Sequence, residues 1–218
     1  MSVGTRMAAL VGVGVVAVGC ASGAEGAVGA LGALPSLGDF PAGYSLLGAP
    51  ESFESALPAP DDRMAFGDER CRVLIEPPAG PGAGESVASG VGAGVYLLHI
   101  VESDRTVSEV ASAVAECGEI RASSHQRSLA LTRGTVTPAT ATTVGYRYRG
   151  TQGVRHEQQM VETPMQQQRL VGRAGEYLVS MSVTVLARPG ETLTEASIEA
   201  ESEVLRTVFD RTLERLGG

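Results

Sequence analysis

Alternating apolar and polar positions dominate residues 120–187 and predict β-strands over most of that length. In VGYRYRG, Tyr146 and Tyr148 face one side of a strand and the arginines that alternate with them face the other. The segment TQGV directly after it is typical of a hairpin turn. Since the strands follow one another through short connections, we expect a single antiparallel meander. Its predicted strands are residues 128–134, 142–150, 155–163, 166–173 and 176–187.

A second periodicity, with apolar residues every three or four positions, predicts one helix before these strands and one after them. The first begins with a capping box formed by Thr106 and Glu109, and it ends at Cys117 before a glycine. The second extends from about residue 192 to 216, with Thr192 and Glu195 in the same capping pattern. Its apolar stripe consists of Ile198, Leu205, Val208, Phe209, Leu213 and Leu216.

The N-terminal half has weaker patterns. We expect strands at residues 44–47 and 95–101, a short helix starting at Pro50, and loops at residues 79–90 and 134–143. This order indicates an α+β fold, an antiparallel β-sheet flanked by helices. We expect both long helices to cover one face of the sheet. The opposite face, or its rim with the two loops, would then remain available to a ligand.

Residues 1–19 have the zones of a secretory signal peptide. Arg6 supplies the positive start, residues 7–19 are uncharged and apolar, and Ala17-Val18-Gly19 precedes Cys20. This end resembles the lipobox of bacterial lipoproteins, which implies an acylated Cys20 as the first mature residue. The alternatives are a plain signal peptide with a chance cysteine and a transmembrane anchor, although the apolar stretch is short for a membrane span.

The lipobox resemblance sets the expected organisation of the chain. We expect a signal peptide at 1–19, a flexible tether at 20–38 that is rich in small residues, and one α+β domain at 39–218. The protein would then be exported and held at the outer face of the cytoplasmic membrane.

Charge narrows the choice of partners. The chain has 17 basic and 25 acidic side chains, a net charge of −8 at pH 7, and no lysine. An acidic chain without basic blocks excludes nucleic acid as a partner. The glycine-rich stretches at 77–86 and 90–94 match neither G-x-G-x-x-G nor a P-loop, so we expect no nucleotide cofactor.

Cysteine usage predicts a disulfide. If Cys20 carries lipid, Cys71 and Cys117 remain as an even pair in an oxidising compartment. Two buried free thiols are the alternative. We expect no metal site, because the two cysteines have no histidine at ligand spacing.

Catalytic motifs are absent from the sequence. No H-E-x-x-H or G-x-S-x-G occurs, and His99, on the apolar strand YLLHIV, is read as a core or edge residue. A triad assembled from distant residues stays open, so an envelope hydrolase with a non-contiguous site is the alternative to a non-enzymatic binding module.

Tyrosines and glutamines on neighbouring strands form the candidate ligand-binding set. Gln158, Gln167 and His156, near Arg155 and Arg169, could present a wall of hydrogen-bonding groups beside the two tyrosines of the VGYRYRG strand. Such chemistry suits a sugar, a glycolipid headgroup, a peptide or an envelope protein. The alternative is a solvated sheet face. The proposed set is Tyr146, Tyr148, His156, Gln158 and Gln167.

Several segments together resemble a family of exported actinobacterial domains. They are FPAGYSLLG, GDERCRVLIEP, VSEVASAVAECGEI, the YRYRG strand and the final amphipathic helix. The family includes the extracellular sensor domain of PknH-type kinases and related small lipoproteins. The resemblance covers about residues 39–216.

This resemblance implies a sensor-like domain with a twisted antiparallel sheet, flanking helices and a central cleft for a ligand. It also implies that the cysteine ending the first helix bridges back to Cys71. Two features differ from the kinase domains, which have two disulfides and many tryptophans, whereas this chain can form one bridge and has no tryptophan.

Overall fold

The structure, a computed structural model, describes residues 25–53, 63–76, 80–89, 94–137, 139–156, 159–187 and 192–217. These residues form three α-helices: α1 (Glu25–Ala33), α2 (Val107–Glu116) and α3 (Glu195–Gly217). Short 3-10 helices occupy Leu37–Asp39 and Glu69–Leu74. The strands are β1 (Ser45–Leu46), β2 (Glu51–Phe53), β3 (Ala65–Phe66), β4 (Gly82–Ala88), β5 (Gly94–Glu102), β6 (Glu119–Ser123), β7 (Arg127–Thr137), β8 (Thr143–His156), β9 (Gln159–Ala174) and β10 (Tyr177–Leu186).

All described strands join one antiparallel sheet, in the order β1-β4-β5-β10-β9-β8-β7-β6-β3, with β2 also paired to β4. The run from β6 to β10 is an antiparallel meander as expected, but its strands differ from those predicted. The predicted strand at residues 155–163 is divided between β8 and β9, β9 also contains the predicted strand at 166–173, and β6 is additional. β5 precedes α2 in the chain but pairs with β10, which closes the meander onto the N-terminal strands. The fold is β-rich, with one sheet as its centre and few helices, rather than a balanced α+β arrangement.

The expected turn at residues 151–154 is wrong. β8 continues through it, and the β8–β9 pairing extends to His156 opposite Gln159. Glycine serves close packing here, because a Cβ on Gly150 would lie 1.9 Å from the carbonyl oxygen of Ala130 on β7. Two other predictions fail in the same direction, since strands β2 and β4 replace the short helix at Pro50 and much of the loop at 79–90.

The two long helices lie on opposite faces of the sheet, not on one. The first face, called the α3 face, is covered by α1 and α3. Its core comes from alternate residues of the central strands, which pack with Ile198, Leu205, Val208 and Phe209 of α3. Those strand residues are Tyr96, Leu98, Ile100, Val179, Met181 and Val183.

The second face, called the α2 face, is covered in part by α2 and by the 3-10 helix at Glu69–Leu74. The predicted capping box of Thr106 and Glu109 is formed, with the Glu109 amide donating to Thr106 Oγ1 over 3.2 Å. The disulfide Cys71–Cys117 joins the 3-10 helix to the end of α2. A second core therefore forms beneath these two helices.

Helix α1 lies within the residues expected to form a tether. Ala30 is fully buried and Ala33 nearly so, in the same core as α3 and β5. Small side chains let the helix approach the sheet closely, so the folded domain begins at least fourteen residues before Asp39. Residues 1–24, including the predicted signal peptide and Cys20, lie outside the described residues.

Candidate functional site

Tyr146 and Tyr148 do not line an open surface. They are 2% and 1% exposed, in the core under α2, with their rings 5.8 Å apart. Tyr146 Oη donates to the carbonyl oxygen of Leu74 over 3.2 Å, and Tyr148 Oη donates to that of Cys117 over 3.1 Å. Burial raises the pKa of both phenols, so they remain neutral donors. An aromatic binding platform at these tyrosines is therefore wrong.

The other predicted ligand residues are dispersed. Gln167 is directly opposite Tyr148 and shares its face. His156 is exposed at the far end of β8, eight residues and about 26 Å along the strand from Tyr148. Gln158 lies outside the described residues. The structure thus brings together Gln167 and the tyrosines but not His156.

A row of polar residues crosses the centre of the α2 face, beside the core of α2. The register places His99 of β5 opposite Ser180 of β10, and Ser182 opposite Arg169 of β9. Gln167 follows two residues before Arg169 and so faces the same side. These five residues are called the polar strip. It arises from simple alternation, since Ser180 and Ser182 of LVSMSVTV project from the same face of β10 as Leu178, while Val179, Met181, Val183 and Val185 project from the other.

Arg169 is the central residue of the polar strip. Its side chain is in the middle of the sheet, and the residue is only 6% exposed. Nη2 donates to the carbonyl oxygen of Ile75 over 2.9 Å, while Nε is buried without a partner among the described residues. No carboxylate in that part of the chain pairs with the guanidinium. A buried charge without a counter-ion destabilises the fold, and the hydrogen bond to Ile75 offsets only part of that cost.

His99 is neutral in this environment. Burial, and then the positive charge of Arg169, lower its pKa to about 4. Phe53 packs against its ring, with the ring centroids 6.1 Å apart. The strip therefore carries one positive charge, that of Arg169, at neutral pH.

Gln167 adds a second unsatisfied atom. Its Nε2 donates to Thr184 Oγ1 over 3.1 Å, and its Oε1 is buried with no partner in the described chain. Arg169 thus lacks an acceptor while Gln167 lacks a donor. The two unsatisfied atoms belong to residues that are two apart in β9, so their side chains lie next to each other on the same face.

A charged groove of about 580 Å³ lies between α2 and the 3-10 helix, on the outside of the same face. Two of its arginines, Arg70 and Arg72, are paired with glutamates. Arg70 contacts Glu116 at 2.9 Å, and Arg72 contacts Glu69 at 2.8 Å and Glu76 at 3.0 Å. Because these charges satisfy one another, the groove is a weaker candidate for ligand binding than the polar strip.

The α3 face also contains a side chain without a hydrogen-bond partner among the described residues, the carboxyl group of Glu85. Glu85 of β4 is 7% exposed, and both of its oxygens are buried without a described partner. Burial, with the charge of Asp39, raises the pKa of Glu85 to about 7, although Arg215 opposes the shift. Elsewhere on that face Glu201 is satisfied, since Tyr96 and Tyr44 donate to its Oε2 over 2.5 and 3.0 Å.

Sequence reasoning missed most of the polar strip. The apolar strand around His99 predicts a core or edge residue, and Ser180 and Ser182 give no signal except their alternation in SMS. Arg169 and Gln167 were recognised as polar, but their alignment with β10 and β5 depends on a pairing between strands distant in sequence. Among the described residues, no three His, Cys, Asp or Glu side chains gather as a metal-binding group.

Comparisons with known proteins find solved structures that are similar only at low identity. No known family profile and no curated protein sequence matches the chain. The structure is similar to an uncharacterized Mycobacterium smegmatis protein, the Rv0999 ortholog, at 13% identity and a TM-score of 0.47, covering 81% of this chain and 92% of that one. It is also similar to the extracellular domain of PknH from Mycobacterium tuberculosis, at 10% identity and 0.46, covering 79% and 86%.

These scores are too low to transfer a function. In the part of the chain that the structure describes, no helix has both the length and the apolar character needed to cross a membrane.

Proposed function

We propose that this protein is an exported, lipid-anchored envelope protein whose domain binds a small ligand as a non-enzymatic, sensor-like module. The observation that supports binding is the polar strip, with a buried Arg169 Nε and a buried Gln167 Oε1 that both lack partners. Unmade hydrogen bonds of this kind destabilise a folded protein by about 1–3 kcal/mol each. A ligand that satisfies them would recover that free energy on binding.

Binding is favoured over catalysis by the relation between Ser180 and His99. The register brings these two residues opposite each other, which is the pairing that a hydrolase with a serine nucleophile would need. Among the hydrogen bonds of the described residues, however, none joins the serine hydroxyl to the imidazole. The low pKa of His99, about 4, also makes it a weak general base.

The anchor is proposed from the lipobox-like sequence before Cys20. Cells expressing the full chain are labelled with a fatty-acid probe and separated into membrane and soluble fractions. We expect a labelled protein in the membrane fraction, and loss of the label and of membrane retention in Cys20→Ser. The neighbouring substitution Ser22→Ala is the control and retains both. An unlabelled wild-type protein in the medium would contradict the anchor without affecting the binding site.

The binding role is tested with the purified domain and a small-molecule extract of the cell envelope. Native mass spectrometry should detect a bound molecule whose mass after release equals its mass in the extract. Release of two fragments whose masses sum to that of the extract molecule plus one water would instead favour a hydrolase. If no molecule binds to the wild-type domain and its melting temperature is unchanged by the extract, the binding role is wrong.

A further inference from the structure

Arg169 limits the chemistry of any ligand that reaches the polar strip. A guanidinium offers five N–H donors and no acceptor, and it keeps its proton at any physiological pH. In the described chain this side chain has two partners, the carbonyl oxygen of Ile75 and the hydroxyl of Tyr146, while Nε has none. The remaining donors, including the buried Nε, match the oxygens of a carboxylate, phosphate or sulfate.

The surroundings of Arg169 favour an anion further. His99 is uncharged at neutral pH, and the two strip serines are neutral, so no group of the strip neutralises the guanidinium. The interior strengthens an attraction between opposite charges, because it screens them less than water does. An oxyanion would therefore gain both charge compensation and hydrogen bonds at this point.

Gln167 adds a second requirement. Its unpartnered Oε1 accepts a hydrogen bond, so it calls for a donor on the ligand. Residues two apart in a strand are about 7 Å apart, and their side chains project from the same face. A hydroxyl on a carbon next to the anionic group would be placed to reach Gln167 while the anion contacts Arg169.

Resting on the proposed binding function, we infer that the polar strip is a binding site for a small hydroxylated oxyanion, a polyol phosphate or a hydroxy acid. Arg169 would contact the anionic oxygens and Gln167 Oε1 would accept from the neighbouring hydroxyl. The serines at positions 180 and 182 would form the floor beneath them.

The inference is tested by thermal unfolding of the purified domain at constant ionic strength. Four probes separate the two requirements: glycerol 3-phosphate and lactate carry an anion and a hydroxyl, sulfate carries only the anion, and glycerol carries only the hydroxyl. We expect glycerol 3-phosphate or lactate to raise the melting temperature by about 3–6 °C at ten times its dissociation constant. Sulfate should give a smaller rise, and glycerol none at the same concentration. Which of the first two acts more strongly distinguishes phosphate from carboxylate ligands.

Three variants assign the effect to the strip. Arg169→Gln keeps a donor for Ile75 but removes the charge, and it should lose the anion-dependent rise while melting no lower than the wild type in anion-free buffer. Arg169→Lys keeps the charge without the planar fork and should retain part of the rise. Arg121→Met is the control, because Arg121 is an exposed arginine of β6, and it should respond as the wild type does.

Two results would overturn the inference. The first is a wild-type domain whose melting temperature none of the three anions raises. The second is an Arg169→Gln variant that responds like the wild type. Either result would leave the proposed binding function intact if the envelope extract still supplies a bound molecule, since that ligand would then be uncharged or bound elsewhere.

Discussion

The hydroxyl of Tyr148 on β8 donates to the carbonyl oxygen of Cys117 over 3.1 Å. Cys117 ends helix α2 and is bonded through its sulfur to Cys71. One residue thus attaches α2 both to the sheet and to the 3-10 helix. Tyr146, also on β8, attaches the 3-10 helix to the sheet, because its hydroxyl donates to the carbonyl oxygen of Leu74 in that helix.

This relationship predicts that Tyr148 supports stability. Tyr148→Ala should lower the free energy of unfolding by about 3–5 kcal/mol, because it removes a ring that is 1% exposed and leaves a cavity. Tyr148→Phe keeps the ring and should cost only about 1 kcal/mol for the lost hydrogen bond. Denaturant unfolding of both variants measures the difference. Equal and small losses would contradict the burial of this side chain.

The disulfide should contribute separately from the tyrosines. It closes a loop with a sequence separation of 46 residues. In the loop-entropy description such a bridge stabilises by about 4 kcal/mol, mainly by restricting the unfolded chain. We expect Cys71→Ser/Cys117→Ser to lower the free energy of unfolding by that amount, as measured by denaturant unfolding. Mass spectrometry of the unreduced wild type should find the two cysteine peptides joined. Free thiols in protein purified without a reductant would contradict the bridge.

Glu85 should make the protein less stable as pH rises. Its pKa is raised from 4.5 to about 7 in the folded state, so the folded protein binds more protons than the unfolded chain between these values. The stability associated with the protonated carboxyl is present below pH 4.5 and is lost as pH rises through 7, a change of about 3 kcal/mol. Glu85→Gln should remove this loss, so that at pH 8 the variant is more stable than the wild type. Unfolding curves at pH 5 and 8 measure it.

His99 should have the opposite effect. Its pKa is lowered from 6.5 to about 4, so the unfolded chain binds more protons than the folded protein between these values. Stability is then lost as pH falls from about 6.5 to 4, again by about 3 kcal/mol.

The two effects oppose each other between about pH 4.5 and 6.5. Stability of the wild type should therefore change little in this window. Glu85→Gln should reveal a loss of stability on acidification, and His99→Gln a gain. A wild-type slope that neither variant alters would show that other groups control the pH dependence.

Helix α1 should be part of the folded domain. Ala30→Glu places a carboxylate at a position with no exposed surface, in contact with the core of α3, and should lower stability by several kcal/mol. Gly32→Glu is the matched control, because a side chain there meets no atom within 4 Å. Comparable stability of the two variants would indicate that this segment is a free tether.

The amino-acid sequence by itself determined those helices and strands whose capping residues and apolar spacing lie within the element itself. Helix α2 follows from the capping box at Thr106 and the spacing of its apolar residues, and alternation predicts an antiparallel meander, although not β6 or the bounds of β8 and β9. The pair of Cys71 and Cys117 followed from counting, because only two cysteines remain after Cys20. The side of the strand on which each tyrosine of β8 lies was also correct, since side chains alternate at every residue.

Tertiary structure alone decided which face each helix covers, and hence what each side of a strand contacts. Alternation places Tyr146 and Tyr148 together, but only the position of α2 makes that side an interior rather than a binding surface. Likewise, the small residues of α1 fit a flexible tether as well as a close-packed helix until the sheet lies against them. The polar strip depends on β5 pairing with β10 across about eighty residues of chain. Periodicity within one segment contains no information on its distant partner, so neither the partner nor the unpaired charge of Arg169 could be derived from it.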